Sequence, residues 1–290
     1  MLRSASPIEQ HSEPPIGYPP GGAHGSRRRP TPPARDDGLV VILDALQQNW
    51  TELGYRQELA AYHGACRFRS ARTVLAANVG NGRYLSEIAR HFPEKRYFGF
   101  ESDPRMMERA VIRYGSQGID LQCRALDSIE GRYDAVILRS LINEPPCTRD
   151  TLDTLAELTN VGGSAFVIEP LDSQRYFQPS PRRVVEFLAA SCELRGLTAE
   201  DSGIAQTLGP IARSHPAWNP SVTLDVVLPS TLAANLSLFE ETYALIFELA
   251  ERVMPERFDY DALREEWAWW CQQNNRYTQA ALRVFRLDRI

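Results

Sequence analysis

The chain has 290 residues, of which 43% are hydrophobic, so it is long enough to bury one large core or two small ones. A net charge of −5 gives no overall basic field of the kind that recruits nucleic acid. The five cysteines have no CxxC pair and no His/Cys ligand spacing, which argues against structural zinc and a disulfide framework and fits a reducing compartment. No run of 18 apolar residues is present, so we expect a cytoplasmic protein without a membrane span.

The N-terminal segments divide by composition. Residues 1–38 are rich in Pro, Gly, Ser and Arg, and we predict a disordered tail because they bury too little apolar surface to offset chain entropy. Residues 39–70 carry apolar side chains at three- and four-residue steps, which predicts helices interrupted at Gly54. We predict that these helices form a lid over a ligand, with Tyr55 and Tyr62 as contacts; packing of both rings against the sheet is the alternative.

A glycine-rich turn joins the first predicted strand to its helix. The stretch TVLAANVGNGRYLSEIA begins as a short apolar strand, Thr73–Ala77, and becomes helical after a loop that contains Asn78, Gly80 and Gly82. Glycines at such a turn let the backbone approach a ligand, because they lack a Cβ and accept positive φ. A turn of this kind is typical of nucleotide-binding α/β units.

A second predicted strand, Arg96–Glu101, ends in an acid that lies 19 residues after Gly82. This is close to the offset of about 20 residues at which an acid meets the ribose of a bound nucleoside. The carboxylate of Glu101 can accept hydrogen bonds from both hydroxyls of the ribose diol. We therefore predict that Glu101 binds ribose; an exposed acid at a strand end is the alternative.

Strands and helices alternate from this point to Glu169. Further strands are predicted at 119–125, 132–139 and 164–169, with helices at 105–114 and 152–158 between them. This alternation predicts a doubly wound, mostly parallel α/β sheet.

The C-terminal part adds more helix than such a sheet requires. We predict helices at 182–194, 232–253 and 261–273, a strand at 222–228, and a last, antiparallel strand at 280–287. The helical insertion at about 231–275 is predicted to cover the substrate. Its tryptophans, Trp267, Trp269 and Trp270, would form either an aromatic wall that stabilises a cation or part of the core.

The order of these features resembles the class I S-adenosyl-L-methionine (SAM)-dependent methyltransferase family. VLAANVGNG stands where the family has a pattern like VLDLGCGNG, FGFESDPRMMERA resembles its second motif, and RYDAVILRS and VGGSAFVIEP resemble its fourth and fifth strands. The resemblance covers about a third of the chain. It implies a seven-stranded sheet within a SAM-binding domain at 71–290, and SAM as the cofactor.

The resemblance, together with the predicted lid, also implies a set of site residues. The cofactor-binding residues are Asn78, Gly80, Gly82, Glu101, Ser102, Leu126, Asp127, Arg139 and Tyr55. Asp127 takes the place of the acid that binds the adenine amino group, with Leu126 beside the ring. The catalytic candidates are Asn143, Glu144 and Tyr176, which follow the fourth and fifth strands. No metal site is expected.

One feature of the family is missing. Ala76 stands where a strand-one acid normally helps hold the amino group of the methionine part of SAM, and Asn78 replaces the first glycine of the loop. Asparagine can adopt left-handed geometry, so we expect the turn to persist. The amino-acid end of SAM is then expected to be held differently.

Three functions follow as hypotheses. The first is a SAM-dependent methyltransferase that acts on a small molecule, in secondary metabolism, as a monomer or homodimer without a nucleic-acid partner. The second is a SAM-consuming enzyme that transfers or cyclises the aminocarboxypropyl group, as azetidine-forming SAM cyclases do, and releases methylthioadenosine. The third is a methyltransferase-like binding protein without catalytic activity.

Overall fold

The computed structural model describes residues 37–139, 149–171, 174–194, 204–231 and 233–290. The predicted disordered tail therefore lies almost wholly outside the described residues. The described residues form one compact unit. No helix in the described ranges is long and apolar enough to cross a membrane.

One sheet runs through this unit. In the described ranges its strands are β1 (Thr73–Ala77), β2 (Arg96–Glu101), β3 (Ile119–Cys123), β4 (Tyr133–Arg139), β5 (Thr159–Pro170), β6 (Tyr176–Gln178), β7 (Trp218–Pro229) and β8 (Tyr277–Arg289). The first five are parallel in the order β3-β2-β1-β4-β5, and β8 runs antiparallel between β5 and β7. The predicted doubly wound, mostly parallel fold is confirmed, as is the antiparallel last strand.

The sheet has eight strands in the described residues where seven were predicted. The added strand is β6, whose Tyr176 pairs with Gln279 of β8. Because Pro229 of β7 also pairs with Gln279, β6 must lie on the opposite side of β8, which is the side that β5 occupies further along. The short strand therefore extends the edge formed by β5 and adds no new position across the sheet.

The described helices are α1 (Asp37–Gly64), α2 (Cys66–Ser70), α3 (Arg83–His91), α4 (Pro104–Tyr114), α5 (Arg149–Leu158), α6 (Arg182–Leu194), α7 (Ile204–Ser214), α8 (Ala233–Val253) and α9 (Tyr260–Cys271). The predicted break at Gly54 is wrong, because α1 continues through it. A glycine inside a helix costs about 1 kcal/mol relative to alanine. Here a Cβ would lie 2.8 Å from Oε1 of Glu58, so the glycine makes room for that side chain.

Both faces of the sheet are buried. Along β1, Val74 and Ala76 belong to one apolar layer, and Leu75 and Ala77 belong to the other, as the alternation of side chains in a strand requires. The first layer includes α1, α3, α4, α8 and α9, and the second includes α5 and α7. A parallel strand covered on both faces reads as a continuous apolar run, which is why β1 and β4 were readily predicted.

Candidate functional site

The loop after β1 has the conformation that its sequence predicts. Asn78, Gly80 and Gly82 have φ values of +56°, +58° and +80°. The asparagine thus takes the left-handed conformation in place of the family's glycine, and the turn persists. The N–H of Val79 donates to the carbonyl of Phe100 over 2.9 Å, which fixes the loop beside the carboxyl end of β2.

Glu101 connects this loop to the start of α4. Its side chain is buried, with Oε2 accepting the N–H of Gly80 over 2.8 Å and Oε1 accepting the N–H of Asp103 over 2.9 Å. The Ser102 hydroxyl also donates to Oε1, over 3.4 Å. A carboxylate has about four acceptor positions, so these three bonds leave capacity for a ribose hydroxyl at Oε2. The sequence predicted the ligand role of Glu101 but not its role in holding the loop.

The residues predicted to contact adenosine lie at the neighbouring strand ends. Glu101 pairs with Cys123 at the end of β3, and a 3-10 turn, Leu126–Ser128, follows. Ser102 and Asp127 are exposed, whereas Leu126 is half-buried and packs against the second apolar layer. This end of the candidate site therefore lies at the protein surface.

The other end of the site is covered by α1. Oε1 of Gln47 accepts the N–H of Asn81 over 2.7 Å, and a Cβ added at Gly80 would overlap the Gln47 carboxamide. A cavity of about 20 Å³ remains between α1, the loop and the end of β4. That volume holds about one water molecule. Side chains of α1 thus occupy the space beside the loop.

One member of a buried ion pair, Arg139, lines this cavity. Arg139, at the end of β4, is 5% exposed, and its Nη2 donates to Oε1 of Glu58 over 2.9 Å. The guanidinium carbon lies 4.4 Å from the ring centroid of Tyr84. Burial lowers the pKa of Arg139, but attraction to the Glu58 carboxylate outweighs it and leaves this pKa above its ordinary value. Arg139 therefore stays charged.

Two tyrosines complete the surroundings of this pair. The hydroxyls of Tyr62 and Tyr84 lie 2.9 Å apart and hydrogen-bond each other. Burial raises the pKa of both phenols, and the negative charge of Glu58 raises it further. Both therefore stay neutral near pH 7. Of the two alternatives for Tyr62, packing in the core is the one observed, since its ring lies 4.9 Å from Phe166 of β5.

The first half of α1 is fixed to α4 by an acid between two arginines. Asp44 accepts hydrogen bonds from Arg109 over 2.7 Å and from Arg113 over 2.6 and 2.7 Å, and also from the side chain of Asn81 over 2.8 Å. Burial alone would raise the pKa of Asp44, but the hydrogen bonds from Arg113, Asn81 and Arg109 hold it below its usual value. The lid predicted from the sequence is thus anchored to the glycine loop and to α4.

Other predicted site residues lie elsewhere. Tyr55 is packed against His91 at the end of α3, with ring centroids 6.2 Å apart, and does not line the cavity beside the loop, so its contact with the cofactor stays a prediction. The reason is helix geometry: at 3.6 residues per turn Tyr55 is rotated by about 80° from Gln47 around α1, whereas Glu58 is rotated by only about 20°. Asn143 and Glu144 lie outside the described residues. Tyr176 is exposed on β6, where its hydroxyl hydrogen-bonds Gln178.

The tryptophans of α9 are mostly core residues. The rings of Trp267 and Trp270 stack with centroids 4.8 Å apart, and both are at most 5% exposed. Their N–H groups donate to backbone carbonyls of Glu240 and Pro179. Trp269 alone is exposed. The core alternative therefore applies to the stacked pair. Within the described ranges, no cluster of three or more His, Cys, Asp or Glu side chains could hold a metal ion.

Sequence reasoning missed the polar residues of α1. Asp44, Gln47, Thr51 and Glu58 recur at steps of three, four and seven residues, which places them on one face of the helix. That spacing was available in the sequence. A polar stripe on an amphipathic helix usually faces solvent, however. Here Asp44 and Gln47 are bonded to Asn81 of the glycine loop, and Glu58 is bonded to Arg139.

Comparison with solved structures identifies the fold. YjhP from E. coli is 13% identical, with 85% of this chain and 98% of that chain covered and a TM-score of 0.51. A protein named as a methyltransferase candidate from Bacillus halodurans C-125 is 11% identical, with coverage of 80% and 98% and a TM-score of 0.50. The chain has the class I methyltransferase fold. Neither the family models nor the curated proteins that were compared gave a match to the sequence.

Within the methyltransferase fold, the loop of Asn78–Gly82 and Glu101 occupy adjacent strand ends at the carboxyl edge of the sheet. In open α/β sheets, ligands bind in the crevice at this edge. The methyltransferase fold thus places the predicted adenosine contacts together, whereas Tyr55 and the stacked tryptophans belong to other parts of the molecule.

Proposed function

We propose that the protein binds SAM at the carboxyl ends of β1 and β2 and transfers its methyl group to a small-molecule acceptor. The observation that carries this proposal is the loop of positive-φ residues whose Gly80 N–H is bound by Glu101 at the end of the neighbouring strand. Such a loop and acid at adjacent strand ends are typical of nucleoside-binding sites. The methyltransferase fold supports the same cofactor.

The residues of the chain fit SAM at its adenosine end. Glu101 retains acceptor capacity for a ribose hydroxyl, and Asp127 and Leu126 lie at the end of β3 where the adenine would be bound. Bound SAM supplies a methyl carbon activated by its sulfonium. The protein then has to align the acceptor with that carbon and exclude water. Helix α1 already closes one side of the crevice.

A small acceptor is favoured by charge. The chain carries a net charge of −5, which does not favour a nucleic-acid substrate. Asn143, Glu144 and Tyr176 remain the proposed groups for positioning an acceptor and removing its proton. Tyr176 lies in the segment that extends β5 at the carboxyl edge of the sheet.

The experiment is a calorimetric titration of the purified protein with SAM and S-adenosylhomocysteine, combined with mass spectrometry of any ligand that copurifies. We expect saturable binding of both at one site per chain. If neither SAM nor S-adenosylhomocysteine binds, the proposal is overturned. Acceptor candidates that copurify can then be tested for SAM-dependent methylation.

A second candidate is the SAM-consuming enzyme that releases methylthioadenosine. It is favoured by Ala76, which stands in place of the family's strand-one acid and lines the same cavity as Arg139, the partner of Glu58. Without that acid, groups other than the family's usual ones would hold the amino-acid end of SAM. In an intramolecular cyclisation the amino nitrogen attacks the carbon γ to the carboxylate. The carbon–sulfur bond breaks, methylthioadenosine leaves and one proton is released. Incubation with SAM alone separates the two, since methylthioadenosine would form without an acceptor.

The non-catalytic hypothesis is favoured by one observation, the Gln47 side chain over Gly80. It predicts that neither S-adenosylhomocysteine nor methylthioadenosine accumulates when the protein is incubated with SAM and acceptors. Formation of either product would rule it out.

A further inference from the structure

We infer that Arg139 and Glu58 form a subsite for an α-amino-acid group attached to the bound nucleoside, with Arg139 binding its carboxylate and Glu58 its ammonium group. The inference rests on the proposed function, because the ligand it concerns is SAM or its product. It goes further in naming the residues that replace the missing acid of β1.

The first argument comes from unsatisfied atoms. Among the described residues, Nε and Nη1 of Arg139 and Oε2 of Glu58 are buried and have no hydrogen-bond partner. Arg139 is 5% exposed, and the Glu58 side chain is fully buried. Buried polar groups in native proteins are normally hydrogen-bonded, so such atoms require an explanation. Two cationic donors beside one anionic acceptor are complementary to a carboxylate beside an ammonium group.

The second argument is position. The cavity of about 20 Å³ is lined both by Arg139 and by Asn78, Val79 and Asn81 of the loop. Arg139 therefore lies against the end of the crevice away from the adenosine contacts at β2 and β3, and Glu58, which does not itself line the cavity, is bound to Arg139 over 2.9 Å. Ala76 lines the same cavity, so β1 supplies no charge there.

The third argument concerns Gln47. Its carboxamide oxygen accepts the N–H of Asn81 over 2.7 Å, in the manner that a ligand carboxylate accepts a backbone donor. The carboxamide is the end of a flexible side chain with three rotatable bonds, so rotation frees both the N–H and the space over Gly80. We assign Gln47 the position that the ligand takes when it binds.

The pair would also be an unusual purely structural feature. Replacing a buried ion pair by apolar side chains is often neutral or stabilising, so burial of such a pair is weak evidence for a role in stability. The mid-helix Gly54 leaves room for Glu58 to reach Arg139, since a Cβ there would crowd Oε1 at 2.8 Å. A glycine inside a helix lowers stability relative to alanine, so its presence beside Glu58 indicates that this carboxylate has a functional role.

The test is a calorimetric comparison of three ligands on the wild-type protein. The ligands are S-adenosylhomocysteine, which carries the amino-acid group, decarboxylated S-adenosylhomocysteine, which lacks the carboxylate, and 5′-methylthioadenosine, which lacks the whole group. We expect S-adenosylhomocysteine to bind at least tenfold more tightly than either of the others. This comparison needs no variant and therefore does not depend on how substitution affects folding.

A double variant identifies the residues. Glu58→Gln with Arg139→Gln removes both charges together, so no buried charge is left unpaired. We expect S-adenosylhomocysteine and methylthioadenosine to bind this variant within about threefold of each other, with the affinity for methylthioadenosine unchanged. The matched control is Arg264→Met with Glu251→Gln, which removes the exposed pair between α8 and α9 and should leave the preference intact.

The outcomes are distinct. If methylthioadenosine and S-adenosylhomocysteine bind wild type equally, the subsite is wrong while the nucleoside site and the proposed function stand. If the double variant keeps the wild-type preference, the assignment to Arg139 and Glu58 is wrong. If no nucleoside binds, the proposed function fails and the subsite fails with it.

Discussion

The two ends of the candidate crevice are built differently. At the adenosine end, Ser102 and Asp127 are exposed, and Glu101 accepts the N–H groups of Asp103, two residues on, and of Gly80, 21 residues back in the glycine loop. At the amino-acid end, the walls come from α1 and β4, and Glu58 meets Arg139 across 81 residues of chain. The first end depends on local motifs, whereas the second depends on how the N-terminal helix packs. Changes at the α1-covered end should therefore affect stability most, and changes at the adenosine end should affect affinity.

The largest effect is expected from Arg139→Met alone. The substitution leaves the Glu58 carboxylate buried without its cation, and breaking a buried pair in this way costs about 3–5 kcal/mol of unfolding free energy. Denaturant unfolding monitored by tryptophan fluorescence measures the loss. The double variant Glu58→Leu with Arg139→Met should recover most of it. A single variant as stable as wild type would mean that the two charges are not paired in solution.

The next largest effect on unfolding free energy is expected from Gly80→Ala. Its φ of +58° costs a side chain about 1–2 kcal/mol, and the new Cβ would also displace Gln47 from the N–H of Asn81, at a further ~1 kcal/mol. The matched control is Gly118→Ala, which has φ of +76° but no atom within 4 Å of the added Cβ. The control should lose only the conformational part. Equal losses at both positions would show that α1 does not cover the loop.

Glu101→Ala tests the adenosine end. Loss of charge-assisted hydrogen bonds to the ribose should weaken the binding of S-adenosylhomocysteine by about 1–3 kcal/mol, as measured by calorimetry. Because Glu101 also accepts the N–H of Gly80, the loop should loosen, and faster hydrogen exchange at Gly80 is expected. Unchanged affinity in a folded variant would remove the ribose assignment.

The smallest effect concerns pH and Asp44. Its pKa in the folded protein is below the ordinary value of 3.8, so its contribution to stability is complete above about pH 3.8 and is lost as the pH falls through the folded pKa. Asp44→Asn should cost ~1–2 kcal/mol at pH 7, a modest value because both arginines are about a third exposed. Unfolding measured from pH 7 to pH 2 should show this difference shrinking in acid. If the difference in unfolding free energy between wild type and Asp44→Asn stayed constant over this pH range, the ionisation of Asp44 would not be its cause.

The same contrast explains what the sequence predicted. The bounds of β1 and β2 were predicted without error, because buried parallel strands are continuous apolar runs between turn residues. The turn at Asn78 is also a local feature, because asparagine tolerates left-handed geometry.

What was missed depends on distant contacts or on conflicting local signals. Helix α7 contains Gly209 and Pro210, a pair that normally marks a turn, and β6 is too short for its periodicity to be recognised. The continuity of α1 through Gly54 depends on room for Glu58. The partnership of Glu58 with Arg139 has no signature in either residue's own neighbourhood, so only the packed structure places them together.

The most direct test of the central claim is a titration of the wild-type protein and of Gln47→Ala with S-adenosylhomocysteine. If the crevice between the glycine loop, Glu101 and α1 is a nucleoside site, wild type binds one equivalent and Gln47→Ala binds at least as tightly, because the side chain over Gly80 is gone. Absence of binding by both proteins would contradict the account.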